Sequence, residues 1–394
     1  MIYRGTFAEI NLDNYFHNLE YISKESKTKV MPVIKGDAYG HGSVILAKEA
    51  EKKGYDYFAV AFLQEAVELL KNGVKAKILI FNFFLPEHIE IVYDNRNQLI
   101  PTISSVEMLK QFIEVLGRRI RNIKFHINFN TGIARNCIME NEMEELINLI
   151  KEYNLYIEGV YTHFASADDD DEYVKKQMAL FKQKLYYLSE NNINYDMVHY
   201  SNSAAALLQK IDLKTDYVRA GIASYGLQPS NIKKSEGLKP VLSVKSVLAK
   251  TFLLKEGETV GYGRTYKCDK ETTCGIVPLG YADGYFRAFS NKAYVLVKGK
   301  KCSVIGRVSM DQLVIDITNS GAKFLDEVVL LGKQGNENIS CEYLAELANT
   351  INYEITSLIS KRVKRIYVKG DEVYEGRVCI EGCYSENYFS RTTR

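Results

Sequence analysis

The stretch MPVIKGDAYGHG, residues 31–42, ends a short apolar run in Lys35 and follows it with Gly36, Gly40 and Gly42. A lysine in that place supports two readings. It can cap a buried strand and point into water, or its amine can be held at the mouth of a pocket to form an imine with a carbonyl group. Other residue types that do chemistry are thinly spread. Seven cysteines (137, 268, 274, 302, 341, 379 and 383) include no CxxC pair, and six histidines include no HExxH spacing. The sequence therefore points away from zinc and from metal-based catalysis. The cysteines read as small buried thiols in a reducing compartment, with Cys379 and Cys383 near enough for a local bridge but expected to stay reduced.

Lys35 has to be positioned by the elements around it. From about residue 13 to 235, helical and strand patterns alternate: NYFHNLEYI, KVMPVI, SVILAKEAEKK, YDYFAVA, LQEAVELLKNG, AKILIFN and onward to TDYVRAGIASYG. About eight β-branched or aromatic runs separated by helical segments predict an α/β fold, a parallel (β/α)8 TIM-like barrel over residues 11–235. In such a barrel the C-terminal strand ends face the active-site mouth, and Lys35 ends the first strand. After LKPVLSVKS the texture becomes period-two with Gly and Asn/Asp turns, predicting a mainly β domain over residues 236–381 interrupted by one helix at CEYLAELANTI. Residues 1–10 read as a strand joining that second domain, and residues 382–394 as a polar tail.

Composition narrows the function classes. A chain of 394 residues with 46% hydrophobic and 25% charged residues can bury one large or two ordinary cores. The 51 basic and 49 acidic residues nearly cancel, to a net +2, which argues against a nucleic-acid partner. No apolar run is long enough to span a bilayer, and MIYRGTFAEI lacks the apolar core of a signal peptide, so a cytoplasmic protein is expected.

With the Lys35 stretch included, eight stretches occur in order: VIKGDAYGHG, YTHFASAD, HYSNSAAAL, DYVRAGIASYG, VGYGRTY, GYADGY, GRVSMDQ and INYE. Together they resemble the alanine racemase family of pyridoxal phosphate enzymes, over nearly the whole chain and both domains. The resemblance implies that Lys35 carries the cofactor as an imine. It implies that Tyr39, Ser203, the backbone of Gly221 and Ile222, and Tyr353 hold the phosphate. Ser203 read alone is equally an N-cap. Arg219 is implied at the pyridine nitrogen, where a guanidinium can only donate and leaves that nitrogen neutral.

A racemase needs a base on each face of Cα. The resemblance implies Lys35 for one face and Tyr262 for the other, with His163 and Arg219 as the cations that would favour its phenolate. It also implies a homodimer with shared sites, in which Tyr262 and Met310 come from the partner subunit. Arg135 is implied on the cofactor's phenolic oxygen and the substrate carboxylate. Asp168, Tyr281, Arg287, Arg307 and Ile351 are implied along a narrow access corridor. The substrate would be alanine, and the product D-alanine for cell-wall peptidoglycan.

The chain departs from the family pattern in places. Asn128 stands where many members have a carbamylated lysine, Asn130 where aspartate is usual, Ala134 for a glycine and Ala220 for a proline. With Asn128 neutral, a bound anion, or Asn128 together with ordered water, is expected to support Arg135, unless that arginine is solvated enough to need neither. Rival readings are a serine or broader small-amino-acid racemase, a related decarboxylase, whose GGG-type loop and Cys-Asp motif are missing here, and a non-catalytic pyridoxal phosphate-binding protein.

Overall fold

A computed structural model describes residues 4–209, 215–370 and 372–374. Cys379, Cys383 and residues 382–394 lie outside the described residues. The chain divides into two compact units, one of Asn14–Lys239 and one joining the N-terminal segment through Asp13 to the chain from Pro240 onward.

Strand β1 (Phe7–Asn11) belongs to the second unit. The eight strands that follow build the first: β2 (Lys29–Pro32), β3 (Tyr57–Val60), β4 (Lys77–Ile80), β5 (Leu99–Ile103), β6 (Lys124–Asn128), β7 (Tyr156–Tyr161), β8 (Met197–His199) and β9 (Tyr217–Ala220). β3 to β8 form one parallel sheet in chain order, and β9 pairs in parallel with β2. A bridge between Val33 and Ala59 joins β2 to β3. The last seam is crossed by Asp216 N–H to the Val198 carbonyl (2.8 Å) and Arg219 N–H to the Ser201 carbonyl (3.0 Å). The eight parallel strands thus form the expected (β/α)8 barrel.

Parallel strands covered on both faces read as apolar runs, and β3 and β5 are buried at every position. The helices between them start on side-chain caps where the sequence supplies one. Ser105 Oγ accepts from Met108 N–H ahead of Val106–Leu116, and Asp170 from Tyr173 N–H ahead of Asp171–Glu190.

The second unit is mainly β, as its texture predicts. β1 lies between Leu242–Val247, antiparallel, and Lys364–Lys369, parallel. The sheet continues from Leu242–Val247 through Glu327–Gln334, Tyr294–Val297, Lys300–Ile305, Leu313–Asp316 and Thr272–Val277 to Lys250–Leu254. The helix expected at CEYLAELANTI is present but shorter, and a second helix follows beyond that stretch. Cys341–Ala348 stops at Asn349, which adopts the left-handed conformation (φ 54°), and a second helix runs Asn352–Ser357. Asparagine tolerates that conformation at a helix C-terminus, so it can stop a helix whose apolar pattern continues.

Candidate active site

Lys35 leaves the end of β2 and is followed by backbone of the opposite hand. Gly36, Asp37, Ala38 and Tyr39 have φ of 61°, 52°, 54° and 53°. Left-handed backbone costs a non-glycine residue roughly 1–2 kcal/mol, so three in succession must be held in place. The restraints are visible. Glu65 accepts hydrogen bonds from the amides of Gly36 (2.6 Å), Ala61 (2.7 Å) and Phe62 (3.0 Å). Asp37 accepts from Ser43 N–H at the start of the next helix (2.8 Å). The Lys35 amine is held below the ordinary lysine range by burial first, then by the charges of Arg135 and Arg219, with Glu65 opposing. A lysine with more of its amine neutral is a better nucleophile toward a carbonyl.

Arg219, on β9, is buried, and its guanidinium is spread over the ends of neighbouring strands. Nη1 donates to His199 Nδ1 (2.8 Å) and the His199 carbonyl (2.9 Å). Nη2 donates to the carbonyls of Thr162 (2.7 Å) and Tyr200 (3.2 Å) and faces His163 Nδ1 at 3.3 Å. The Tyr161 ring lies 5.0 Å away beneath it. Burial lowers the Arg219 pKa to about 10, so it stays charged near neutrality. His163 is driven well below the ordinary histidine range by burial, then by Arg219, Arg135 and Lys35. That direction runs against the charged imidazole expected from the sequence, with burial the first cause and the three cations the second.

Ser203, Gly221 and Tyr39 meet at one place. Ser203 Oγ accepts from the amides of Gly221 (3.0 Å) and Ala223 (3.3 Å). A Cβ on Gly221 would lie 2.6 Å from the Tyr39 hydroxyl, so only glycine lets that hydroxyl approach the loop. Ile222 opens a short 3₁₀ turn, where the first amide has no acceptor within the turn. Two hydroxyls and a set of backbone amides form a cradle that fits a dianionic phosphate. Ser203 is not the helix cap: Asn202 is, its Oδ1 accepting from Ala205 N–H (2.9 Å).

Arg135 is exposed on the loop after β6, near enough to act electrostatically on Lys35 and His163. Asn128 makes no hydrogen bond to it among the described residues. The Asn128 amide nitrogen donates to the Asn136 carbonyl (2.5 Å), and its buried oxygen has no hydrogen-bond partner among the described residues. Asp168 lies on the loop after β7, its carbonyl accepting from Ser230 Oγ (2.9 Å).

The remaining sequence-derived residues lie in the second unit. Tyr262 is 73% exposed on a turn in which Gly261 and Gly263 have φ of 66° and 72°. The Arg307 guanidinium packs over Gly263, 2.8 Å from where a Cβ would be. The amides of Tyr281 and Ala282 donate to the carbonyls of Ser309 and Met310 (both 3.0 Å), which brings GYADGY and VSMDQ together. Buried Asp283 holds that loop through Gly280 N–H (3.0 Å) and a forked pair with Arg4. The Val308 amide donates to Ser290 Oγ (3.0 Å), and Ser290 Oγ in turn donates to the Arg287 carbonyl. Met310 and Ile351 are exposed and Tyr353 is half-buried.

Sequence reasoning missed Glu65 and a set of polar residues inside the barrel: Tyr57, His126, Glu158 and His199. Glu65 sits in LQEAVELLKNG, read only as a helix, and the others in runs read as strands, His199 also opening the HYSNSAAAL motif without a role of its own. The available signal was a charged or imidazole side chain inside an apolar barrel strand, as in IKFHINF and YIEGVYTHF.

Comparison with known proteins gives these positions their context. The alanine racemase N-terminal domain model matches residues 10–229 and the alanine racemase C-terminal domain model residues 241–367. An alanine racemase of Carboxydothermus hydrogenoformans is 40% identical over 93% of this chain and 100% of its own, and one of Halothermothrix orenii 39% over 93% and 97%. Among solved structures, alanine racemase of Bacillus anthracis with bound L-Ala-P superposes with a TM-score of 0.88 at 36% identity, covering 95% of this chain and 98% of that one. A histidine racemase of Leuconostoc mesenteroides superposes at 0.85 with 28% identity, covering 93% and 99%. The chain therefore belongs to the alanine racemase family of isomerases.

Proposed function

We propose that this protein interconverts L- and D-alanine with pyridoxal phosphate held on Lys35. The observation that carries the reading is the buried, pKa-lowered Lys35 amine beside Arg219 in a barrel that also forms the Ser203–Gly221–Tyr39 cradle. Bound there, the cofactor supplies a carbonyl for the imine and a ring that withdraws electrons from Cα. Ser203, Tyr39 and the amides of Gly221 and Ile222 would hold its phosphate, and the resemblance to the family adds Tyr353. Arg219 would meet its ring nitrogen as a donor only, which keeps that nitrogen neutral and limits side reactions. Arg135 and the Met310 backbone would bind the substrate carboxylate, with Asp168, Tyr281, Arg287, Arg307 and Ile351 along the access corridor.

Two residues move the proton. Tyr262 Oη takes it from the L face of Cα, and Lys35 Nζ delivers one to the D face; the reverse reaction exchanges the roles. Arg219 donates to His163 Nδ1, so the His163 proton sits on Nε2 and is available to a tyrosine oxygen as a hydrogen bond. The protein would work as a homodimer, each Tyr262 and Met310 serving the partner's Lys35. Its place would be the cytoplasm and its product peptidoglycan D-alanine. Among the described residues no helix is long and apolar enough to cross a membrane.

Incubation with L-alanine in heavy water tests the reading. We expect deuterium at Cα in both enantiomers and borohydride to fix the cofactor on Lys35. Lys35→Ala should lose both. Solvent exchange with serine far faster than with alanine would favour the broader-racemase reading, which the family's histidine racemase gives reason to test. Full turnover in Lys35→Ala would overturn the assignment.

A further inference from the structure

The barrel interior contains a continuous chain of hydrogen bonds that the proposed reaction does not use. From Arg219 Nη1 it runs to His199 Nδ1 (2.8 Å), and from His199 Nε2 to His126 Nδ1 (2.8 Å). His126 Nε2 then meets the Tyr57 hydroxyl (3.0 Å) and lies 3.5 Å from Glu158 Oε2. The Tyr57 hydroxyl donates to Glu158 Oε2 (2.9 Å). The other carboxylate oxygen accepts from Lys77 (2.6 Å) and Lys124 (3.4 Å), whose side chains are about a third exposed at the first residues of β4 and β6. Arg219 lies toward the opposite ends of the strands. The chain therefore crosses the barrel from one end toward the other.

Donor chemistry fixes its direction. A guanidinium cannot accept, so His199 Nδ1 must, which places the His199 proton on Nε2. His126 Nδ1 must then accept, which places its proton on Nε2, aimed at Tyr57 and Glu158. The Tyr57 hydroxyl donates its hydrogen bond to the carboxylate. Every donor points the same way, from a cation that can only donate to an anion that can only accept. The rings are built for this arrangement. A Cβ on Gly159 would lie 2.5–2.8 Å from the His126 ring, and Tyr161 stacks on His199 with centroids 4.7 Å apart. Arg219 needs the support, because among the described residues no carboxylate bonds its guanidinium directly and an uncompensated buried charge is costly. With Nη1 and Nη2 engaged, Nε–H is the guanidinium donor left without an acceptor among the described residues.

We propose that Glu158, acting through His126 and His199, is a positioning residue for Arg219: it locks the direction of the chain and so fixes which guanidinium donor is presented to a ligand. The role in turnover rests on the reading of Arg219 given above; the chain itself does not.

Glu158→Gln separates this from packing. Lys77 and Lys124 demand the amide oxygen, so the NH2 group turns toward Tyr57. The phenol must then donate to His126 Nε2, His126 moves its proton to Nδ1, and His199 ends with a proton opposing Arg219. Tyr57→Phe leaves His126 Nε2–H facing the carboxylate and the direction intact. With histidine side chains labelled in nitrogen-15, the cofactor-loaded wild type should show neutral Nε2–H rings at positions 126 and 199. Tyr57→Phe should match it. Glu158→Gln should show altered tautomers and about a tenfold lower kcat with KM little changed.

An Nδ1–H or charged ring at either position in the wild type overturns the proposal without any variant. Unchanged tautomers in Glu158→Gln, or altered ones with unchanged kcat, overturn it as well. If the tautomers respond as expected but the wild type racemises no amino acid, the chain stands and the proposed function falls.

Discussion

Tyr262 and Lys35 place opposite demands on their surroundings. Lys35 is enclosed and its amine made easier to deprotonate, whereas Tyr262 projects from a turn that glycines on both sides hold open. If the two serve opposite faces of Cα, Tyr262→Phe removes one face only. Solvent exchange at Cα should then fall about 10²- to 10⁴-fold for L-alanine and much less for D-alanine. Proton-exchange rates measured separately from each enantiomer check this, and equal small losses would count against the phenol as a base. At this scale the sequence is legible where a residue lies in a motif with unusual spacing. Lys35 stands out in that way, at a strand end rich in glycine, whereas Ser203, Arg219 and Gly221 are reached only through the resemblance to the family. His126, His199 and Glu158 are reached by neither route, because a polar side chain in an apolar strand looks the same whether it faces a partner across the barrel or caps the strand. His163 shows the same limit, since the burial and the three cations that lower its pKa come from elements far apart in the sequence.

The left-handed segment after β2 is an element that apolar periodicity does not predict. The glycines hint at a turn, but Asp37, Ala38 and Tyr39 would ordinarily join a right-handed helix. What holds the segment is tertiary: Glu65, 29 residues on from Gly36, accepts from the Gly36 amide while its other oxygen is fixed by the amides of Ala61 and Phe62. Glutamine at 65 keeps one acceptor oxygen and turns a donor toward amides that also donate. We expect Glu65→Gln to lower stability by about 1–3 kcal/mol and, by removing an anion that favours charged Lys35, to lower the Lys35 pKa further. Denaturation with urea and the pH dependence of Lys35 labelling by a carbonyl reagent measure the two effects. A rise in that pKa would contradict the electrostatic account. The alternation of β and α over the first unit was readable because parallel strands buried on both faces leave continuous apolar runs. The helix break at Asn349 was not, because one asparagine weighs little against an apolar pattern that continues.

For the whole molecule, pH and assembly are the tests. His126 and His199 are held neutral, mainly by burial. An unfolded chain takes up protons on them near pH 6.5, which the folded barrel refuses. Their contribution is therefore complete above that pH and is lost below it, by about 1.4 kcal/mol per pH unit for each histidine until the folded pKa is reached. Glu158 is buried, which disfavours its charge, yet His126, Lys77 and Tyr57 hold it well below the carboxylate range, so it adds a loss at still lower pH. Urea midpoints at pH 7.5, 6.5 and 5.5 should fall in that order; a flat series would show that the histidines titrate in the fold. For assembly, mixing inactive Lys35→Ala and Tyr262→Phe subunits should restore part of the activity, since a mixed dimer has one site with both bases. An active monomer on sizing would refute shared sites.

The reversed hand beside Lys35 also decides which sequences can drift there. In an ordinary helix, alanine and leucine are favoured and glycine or asparagine is penalised. Over residues 36–39 the ranking inverts: glycine and asparagine relax the backbone, while valine, isoleucine and threonine clash with it whatever their chemistry. Variation next to the lysine is thus filtered by backbone handedness before any test of activity, and a substitution scale drawn from normal helices would misjudge the sign of a change at Asp37 or Ala38.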